Sequence, residues 1–181
     1  MPQRRDVDYR EYAGQIVSAI PKGVLLTTKA EGRVNTMTIG WGMLGTNWSS
    51  PVFEAFIRLH RHTVSLLDKN PEFTVNIPLG DFDRKIVGFC GSHHGDEVDK
   101  VSELGLTLVD SRKVDVPGIA QLPLTLECKV VYRQPQELDL YTPEVHERFY
   151  PQDVDGRDVG SNRDPHIMVF GQIVNAYVIE G

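Results

Sequence analysis

Three short stretches of the chain carry residue types that could do chemistry. The first runs from Asn35 through Thr36, Met37, Thr38 and Trp41 to Gly45, and Gly40, Gly42 and Gly45 in it spell a G-x-G-x-x-G pattern. That pattern cradles a pyrophosphate only when a strand precedes it and a helix opens behind it. Here Thr46-Asn47-Trp48-Ser49-Ser50-Pro51 follows, a turn-rich stretch closed by proline, so no helix N-terminus is on offer. Read instead as one strand, Asn35 to Leu44 puts Met37, Ile39, Trp41 and Met43 on one face and Thr36, Thr38, Gly40 and Gly42 on the other. The apolar side is a core or interface face. Glycine weakens a strand interior, so the small-residue side calls for a reason. Either something flat approaches the backbone there, or the glycines relieve crowding at a bulge or barrel corner.

The second stretch, Arg58-Leu-His-Arg61-His62-Thr63, precedes a short helix for which Thr63 is a plausible cap. Basic side chains, a hydroxyl and free helix amides together make an anion site suited to a phosphate. The plainer alternative is a surface cap with solvated basic residues. The third is Phe89-Cys90-Gly91-Ser92-His93-His94-Gly95, whose glycines could expose amides to a ligand, with Lys100 beyond it. Cys90, His93 and His94 do not make a metal set, because adjacent histidines rarely share one ion and no fourth ligand stands at a standard spacing. As a nucleophile, Cys90 has only its polar neighbours in its favour. Asp96, Glu97 and Asp99 read as the acidic first turn of a helix.

The elements that must position these residues are mostly strands. Tyr9 to Ile20 reads as a helix with Tyr12, Ile16 and Ile20 on one face, stopped by Pro21. Gly23–Lys29 and Val34 onward pair as a hairpin through Ala30-Glu31-Gly32-Arg33. Further strands are expected over 52–60, 73–77, 122–132 and 167–179, and helices over 63–68, 81–89 and 96–104, the last capped by Gly105. Residues 90–95 and 134–165 read as loop. The result is a mainly β domain with peripheral helices, which points to a barrel.

Composition narrows the classes. A chain of 181 residues with 40 % hydrophobic and 24 % charged residues reads as one globular domain over 1–181. A net charge of −6 disfavours a nucleic-acid surface. No apolar run reaches the length of a membrane span, and the arginines at the start have no apolar core behind them, so neither membrane insertion nor secretion is expected. The two cysteines read as free thiols in a reducing cytoplasm.

In order along the chain, Val24-Leu-Leu-Thr-Thr, Asn35-Thr-Met-Thr-Ile-Gly-Trp41, Ser50-Pro51, His62-Thr63 and Glu72-Phe-Thr-Val-Asn-Ile-Pro78 resemble the flavin reductase-like family. So do Phe89-Cys-Gly-Ser92, Asp96-Glu-Val-Asp-Lys100 and His166-Ile-Met-Val-Phe-Gly171, and the flavoredoxin-like branch is the most similar. The resemblance implies an FMN-binding split β-barrel that forms homodimers with the flavin near the subunit interface. It implies that Asn35, Thr36, Met37, Thr38 and Trp41 flank the flavin, and that Arg61, His62 and Thr63, with Lys100, hold its phosphate. It implies a second wall of Cys90, Gly91 and Ser92, and a His166 close to the ring. The activity it implies is hydride transfer from NAD(P)H to flavin and on to a second acceptor. A non-catalytic FMN electron carrier and, less well matched, a pyridoxal-phosphate-handling oxidase are the rival readings.

Overall fold

A computed structural model describes residues 3–156 and 161–180. Runs rich in Val, Ile, Thr and Phe go into ten strands: β1 Gln3–Asp6, β2 Val24–Ala30, β3 Arg33–Ile39, β4 Gly42–Asn47, β5 Ser50–Arg58, β6 Glu72–Ile77, β7 Leu108–Val109, β8 Gly118–Ile119, β9 Leu124–Pro135 and β10 His166–Glu180. The helices are α1 Ala13–Ala19, α2 His62–Lys69, α3 Lys85–Ser92, α4 Lys100–Glu103 and α5 Pro143–Phe149. Eight strands form one antiparallel sheet in the order β3-β2-β6-β9-β10-β5-β4, with β1 on the far end of β10, while β7 and β8 pair separately.

Connectivity forces this sheet to roll. β3 and β4 stand at opposite ends of the strand order, yet only Gly40 and Trp41 separate them. Three virtual bonds hold Ile39 and Gly42 within about 11 Å of each other. The two edges must therefore approach, which closes a barrel with a split at Gly40-Trp41. The single strand expected over 35–44 is thus two strands, because the alternation in the sequence runs unbroken through the link. Met37 and Ile39 are in the core, whereas Trp41 and Met43 are exposed at the split and on β4.

Inside the barrel, Leu26, Met37, Phe53, Ile57, Phe73, Leu126 and Val169 pack together, and Ile16 and Ile20 plug one end, as their helical spacing required. The stretch expected as one helix from Tyr9 to Ile20 is a 3₁₀ turn over Tyr9–Tyr12, then α1, then a 3₁₀ turn over Ile20–Lys22 that accommodates Pro21. The longest strand, β10, spans the barrel by means of a bulge at Phe170/Gly171. A Cβ at position 171 would meet the Phe73 ring at 2.3 Å, so the β10 backbone approaches β6 there as only glycine permits.

Other differences from the sequence reading have local causes. α3 starts at Lys85 rather than 81 and runs on through Cys90, Gly91 and Ser92, so these three are helical, not loop. α4 begins only at Lys100, where the Asp99 carboxylate accepts from the amides of Val101 and Ser102. The stretch 134–165 contains α5, opened by Thr142-Pro143. Among the described residues, no helix is long and apolar enough to cross a membrane.

Candidate functional site

Two cations are buried side by side between β3 and the helices that cover it. Arg61 is 6 % exposed and Lys100 is 3 % exposed. Arg61 ends the loop after β5 and serves as the N-cap position of α2, whereas Lys100 opens α4. Thr63, expected as that cap, lies inside the first turn, and its hydroxyl accepts from Asn35 Nδ2 at 3.1 Å. Arg61 Nη2 donates to the Cys90 carbonyl at 3.0 Å; Lys100 Nζ donates to the same carbonyl at 3.2 Å and to the Thr36 carbonyl at 3.0 Å.

Neither cation makes an ion pair among the described residues. Arg61 Nη1 and His62 Nε2 are buried without a hydrogen-bond partner there. Two like charges out of water with an orphaned donor are costly unless an anion joins them. The strain shows in their acidity. Burial, and then Arg58, bring the Arg61 guanidinium down to about 10; burial, and then Arg61, bring Lys100 down to about 8. Burial also lowers His62. The donor set fits a phosphate monoester.

Beside this pair, a cavity of about 270 Å³ opens at the split, walled by the Met37–Trp41 backbone, Phe56, Arg58, Arg61, Gly91, Asn162 and His166. β3 ends the sheet, so its outward amides and carbonyls lack a strand partner, and the Thr36 carbonyl accepts from Lys100 instead. The site differs from the sequence expectation in one respect. The face carrying Thr36 and Thr38 is not open to a flat ligand: Thr36 Oγ1 is buried against Thr27, and Thr38 Oγ1 donates to the Val87 carbonyl of α3 at 2.6 Å. Gly40 and Trp41, at and just past the strand's end, line the cavity, and Met37's side chain is turned into the core.

Of the expected wall, Gly91 lines the cavity. Cys90 contributes its carbonyl, while its thiol sits in the core under α3, pushed up to about 11 by burial. Ser92 is not at the cavity; its hydroxyl is exposed and hydrogen-bonds the Phe89 carbonyl and His93. Asn35 supports the site indirectly, wedged between Thr63 and Gly95, where a Cβ on residue 95 would strike its Oδ1 at 2.0 Å.

His166 opens β10 directly opposite Arg58 of β5 and is 6 % exposed. Trp41 lies 4.7 Å from its ring, centroid to centroid. Burial, and then Arg58, bring the imidazole down to about 4, so it is neutral at neutral pH. Sequence reasoning missed Arg58, Asn162 and Tyr150 as part of this surround. Arg58 stood in the quoted basic stretch and marked the strand end, and its guanidinium donates to the Ser161 carbonyl. Asn162 and Tyr150 lie in the stretch read as loop. A second, apolar cavity of about 690 Å³ adjoins the first, sharing Gly40, Trp41 and Phe56.

Known proteins share this fold. Residues 17–181 match the flavin reductase like domain family. An uncharacterized protein of Archaeoglobus fulgidus is 33 % identical over 111 residues, covering 61 % of this chain and 62 % of the relative, so the chain spans less than two thirds of that relative's length. Flavoredoxin of Desulfovibrio vulgaris (Miyazaki F) has a similar fold at a TM-score of 0.63 and 20 % identity, over 86 % of this chain and 68 % of that one. An FMN-binding domain of a flavin reductases-like enzyme from Shewanella baltica OS155 gives a TM-score of 0.66 at 14 % identity, over 98 % and 78 % of the two chains. Likeness at these identities is likeness of fold, and the fold is the split barrel expected from the sequence. The family match runs from within α1 to the end of β10 and takes in the cavity and both buried cations: the chain belongs to the flavin reductase like domain family.

Proposed function

We propose that the chain, acting as one unit, binds FMN at the split, oxidises NAD(P)H with it, and passes the electrons to a second acceptor. The observation that carries this reading is the buried Arg61–Lys100 pair with Arg61 Nη1 unpartnered. An anion with several acceptor oxygens satisfies that donor and both charges at once. Arg61 and Lys100 hold the phosphate, His62 adds Nε2, and Thr63 and Asn35 fix the α2 N-terminus against β3. The backbone from Thr36 to Trp41 lies along the ring, and its free amides favour negative charge there. Gly91, on the last turn of α3 between Cys90 and Ser92, closes the far side. His166 and Trp41 face the approach to the cavity, where the nicotinamide stacks.

FMN, when bound, supplies the hydride-accepting chemistry, so the chain needs no acid–base triad. Its own residues bind the phosphate, orient the ring, and keep one face accessible. The test is direct. Purified protein should carry, or take up, FMN with a bound-flavin absorbance spectrum, and NADH or NADPH should bleach it. FMN uptake without fast bleaching would favour an electron carrier; absence of flavin uptake would remove the reading altogether.

We also propose a two-fold homodimer. Of the apolar strand face expected to form its interface, Met37 and Ile39 are buried within one chain, while Trp41 and Met43 are exposed. The outer face around Met43 supports the reading best. Met43, Glu54, Phe170 and Tyr132 stand in register across β4, β5, β10 and β9 on the outer face of the barrel. The β4–β5 hairpin tip adds Trp48, 57 % exposed, whose ring meets Phe170 at 5.8 Å. Trp48 and Ser49 both have positive φ, a strained backbone for side-chain-bearing residues, which displays the indole outward. The buried free thiols Cys90 and Cys128 support placing the protein in a reducing cytoplasm.

A further inference from the structure

The aromatic cluster over the cavity contains a hydrogen-bonded chain that flavin binding does not require. Tyr150, just past α5, is 2 % exposed. Its hydroxyl donates to Gln136 Oε1 at 2.9 Å and lies 3.2 Å from His166 Nδ1. The Gln136 backbone is anchored beside the histidine, since its main-chain N–H donates to the His166 carbonyl at 2.8 Å. Stacking on Tyr141, with ring centroids 5.3 Å apart, holds the phenol in place.

A phenol has one proton to give. With that proton committed to Gln136, the Tyr150 oxygen can only accept from His166, so the hydrogen of the neutral imidazole must sit on Nδ1. Nε2 is then left as a bare acceptor on a ring that lines the cavity. We propose that Tyr150 is a positioning residue that sets the tautomer of His166, so that Nε2 presents a lone pair and selects ligands offering an N–H or O–H donor at that point. Resting on the NAD(P)H reading, the matching donor is the primary amide of a reduced nicotinamide. An imidazole of the opposite tautomer would meet that amide N–H with its own N–H.

The inference is testable without flavin or nicotinamide. In the full-length apoprotein with ¹⁵N-labelled histidine, long-range imidazole correlations at pH 7 should show His166 as the Nδ1–H tautomer. Gln136→Leu frees the phenolic proton to turn toward Nδ1 and should invert the signature to Nε2–H. Tyr150→Phe removes the constraint and should give a mixture of the two tautomers. In FMN-loaded protein, Gln136→Leu should weaken apparent NADH affinity at least fivefold while leaving FMN affinity unchanged. A wild-type His166 in the Nε2–H form, or a signature that neither substitution alters in a folded protein, overturns the proposal. Because the tautomer is read in the apoprotein, that result can fail while FMN binding by Arg61 and Lys100 stands, and the reverse is equally possible.

Discussion

Arg61 and Lys100 converge on one acceptor, the carbonyl of Cys90, at 3.0 and 3.2 Å. One carbonyl cannot neutralise two charges, and each cation raises the energy of the other. Whatever anion enters relieves that repulsion, and the relief depends on pH in a predictable direction.

Lys100 loses its proton near pH 8 in the folded apoprotein, below the 10.5 of a solvated lysine. An anion favours the charged form, so FMN affinity should fall as pH rises above about 8. It should also fall below about pH 6, where the phosphate takes up a proton. Lys100→Met should weaken binding at pH 7 and flatten the alkaline limb. Fluorescence titrations from pH 5 to 10 measure both. The apoprotein should behave oppositely: between about 8 and 10.5 the unfolded chain holds the Lys100 proton and the folded chain does not, so this residue makes stability rise with pH in that window.

His166 makes its own contribution to acid sensitivity. Its folded value of about 4 lies below the 6.5 of a free imidazole, so between those limits the unfolded chain binds the extra proton. Its contribution to apoprotein stability is complete above about pH 6.5 and is lost progressively as pH falls toward 4. Denaturant midpoints measured for wild type and His166→Gln should converge or cross over that interval. Parallel curves would show that His166 is not held neutral by the fold.

His166 should matter for reduction more than for flavin binding. His166→Ala is expected to leave FMN affinity within a few-fold and to slow bleaching by NAD(P)H about tenfold or more, which corresponds to about 1.4 kcal/mol of transition-state stabilisation. Stopped-flow absorbance measures the step. An unchanged rate in a folded, FMN-loaded variant would make His166 a structural residue at a strand end.

Assembly is tested through the outer face of the sheet. Light scattering at micromolar concentration should give the mass of a dimer. Trp48→Asp, which places a charge at the exposed hairpin tip beside Phe170, should shift it toward monomer. A monomeric wild type would remove the interface.

Much of the barrel was legible because its strands obey a period of two, and the β2–β3 hairpin announced itself through Glu31-Gly32. The position of the split was not, because apolar alternation runs straight through Gly40 and Trp41 while the chain crosses from one sheet edge to the other. Gly42 was the signal available: a Cβ there would come within 3.0 Å of the Glu54 carbonyl. Arg61 could be picked out by its place before a helix. Lys100 could only be placed near the third stretch, and its part in the phosphate site came from family resemblance, since its meeting with the Cys90 carbonyl depends on how α3 and α4 pack. Tyr150 was hidden behind α5, whose start signal, Thr142-Pro143-Glu144, was lost among prolines and acids that read as loop.

The central claim, that the buried cations hold a flavin phosphate, is tested most directly by titrating apoprotein with FMN and with riboflavin, which lacks the phosphate. Wild type should prefer FMN clearly. Arg61→Ala should weaken FMN binding by about 1.5–3 kcal/mol, roughly ten- to a hundredfold or more, and leave riboflavin almost unaffected. Equal affinities of the wild type for the two ligands, or equal losses for both in Arg61→Ala, would contradict the account.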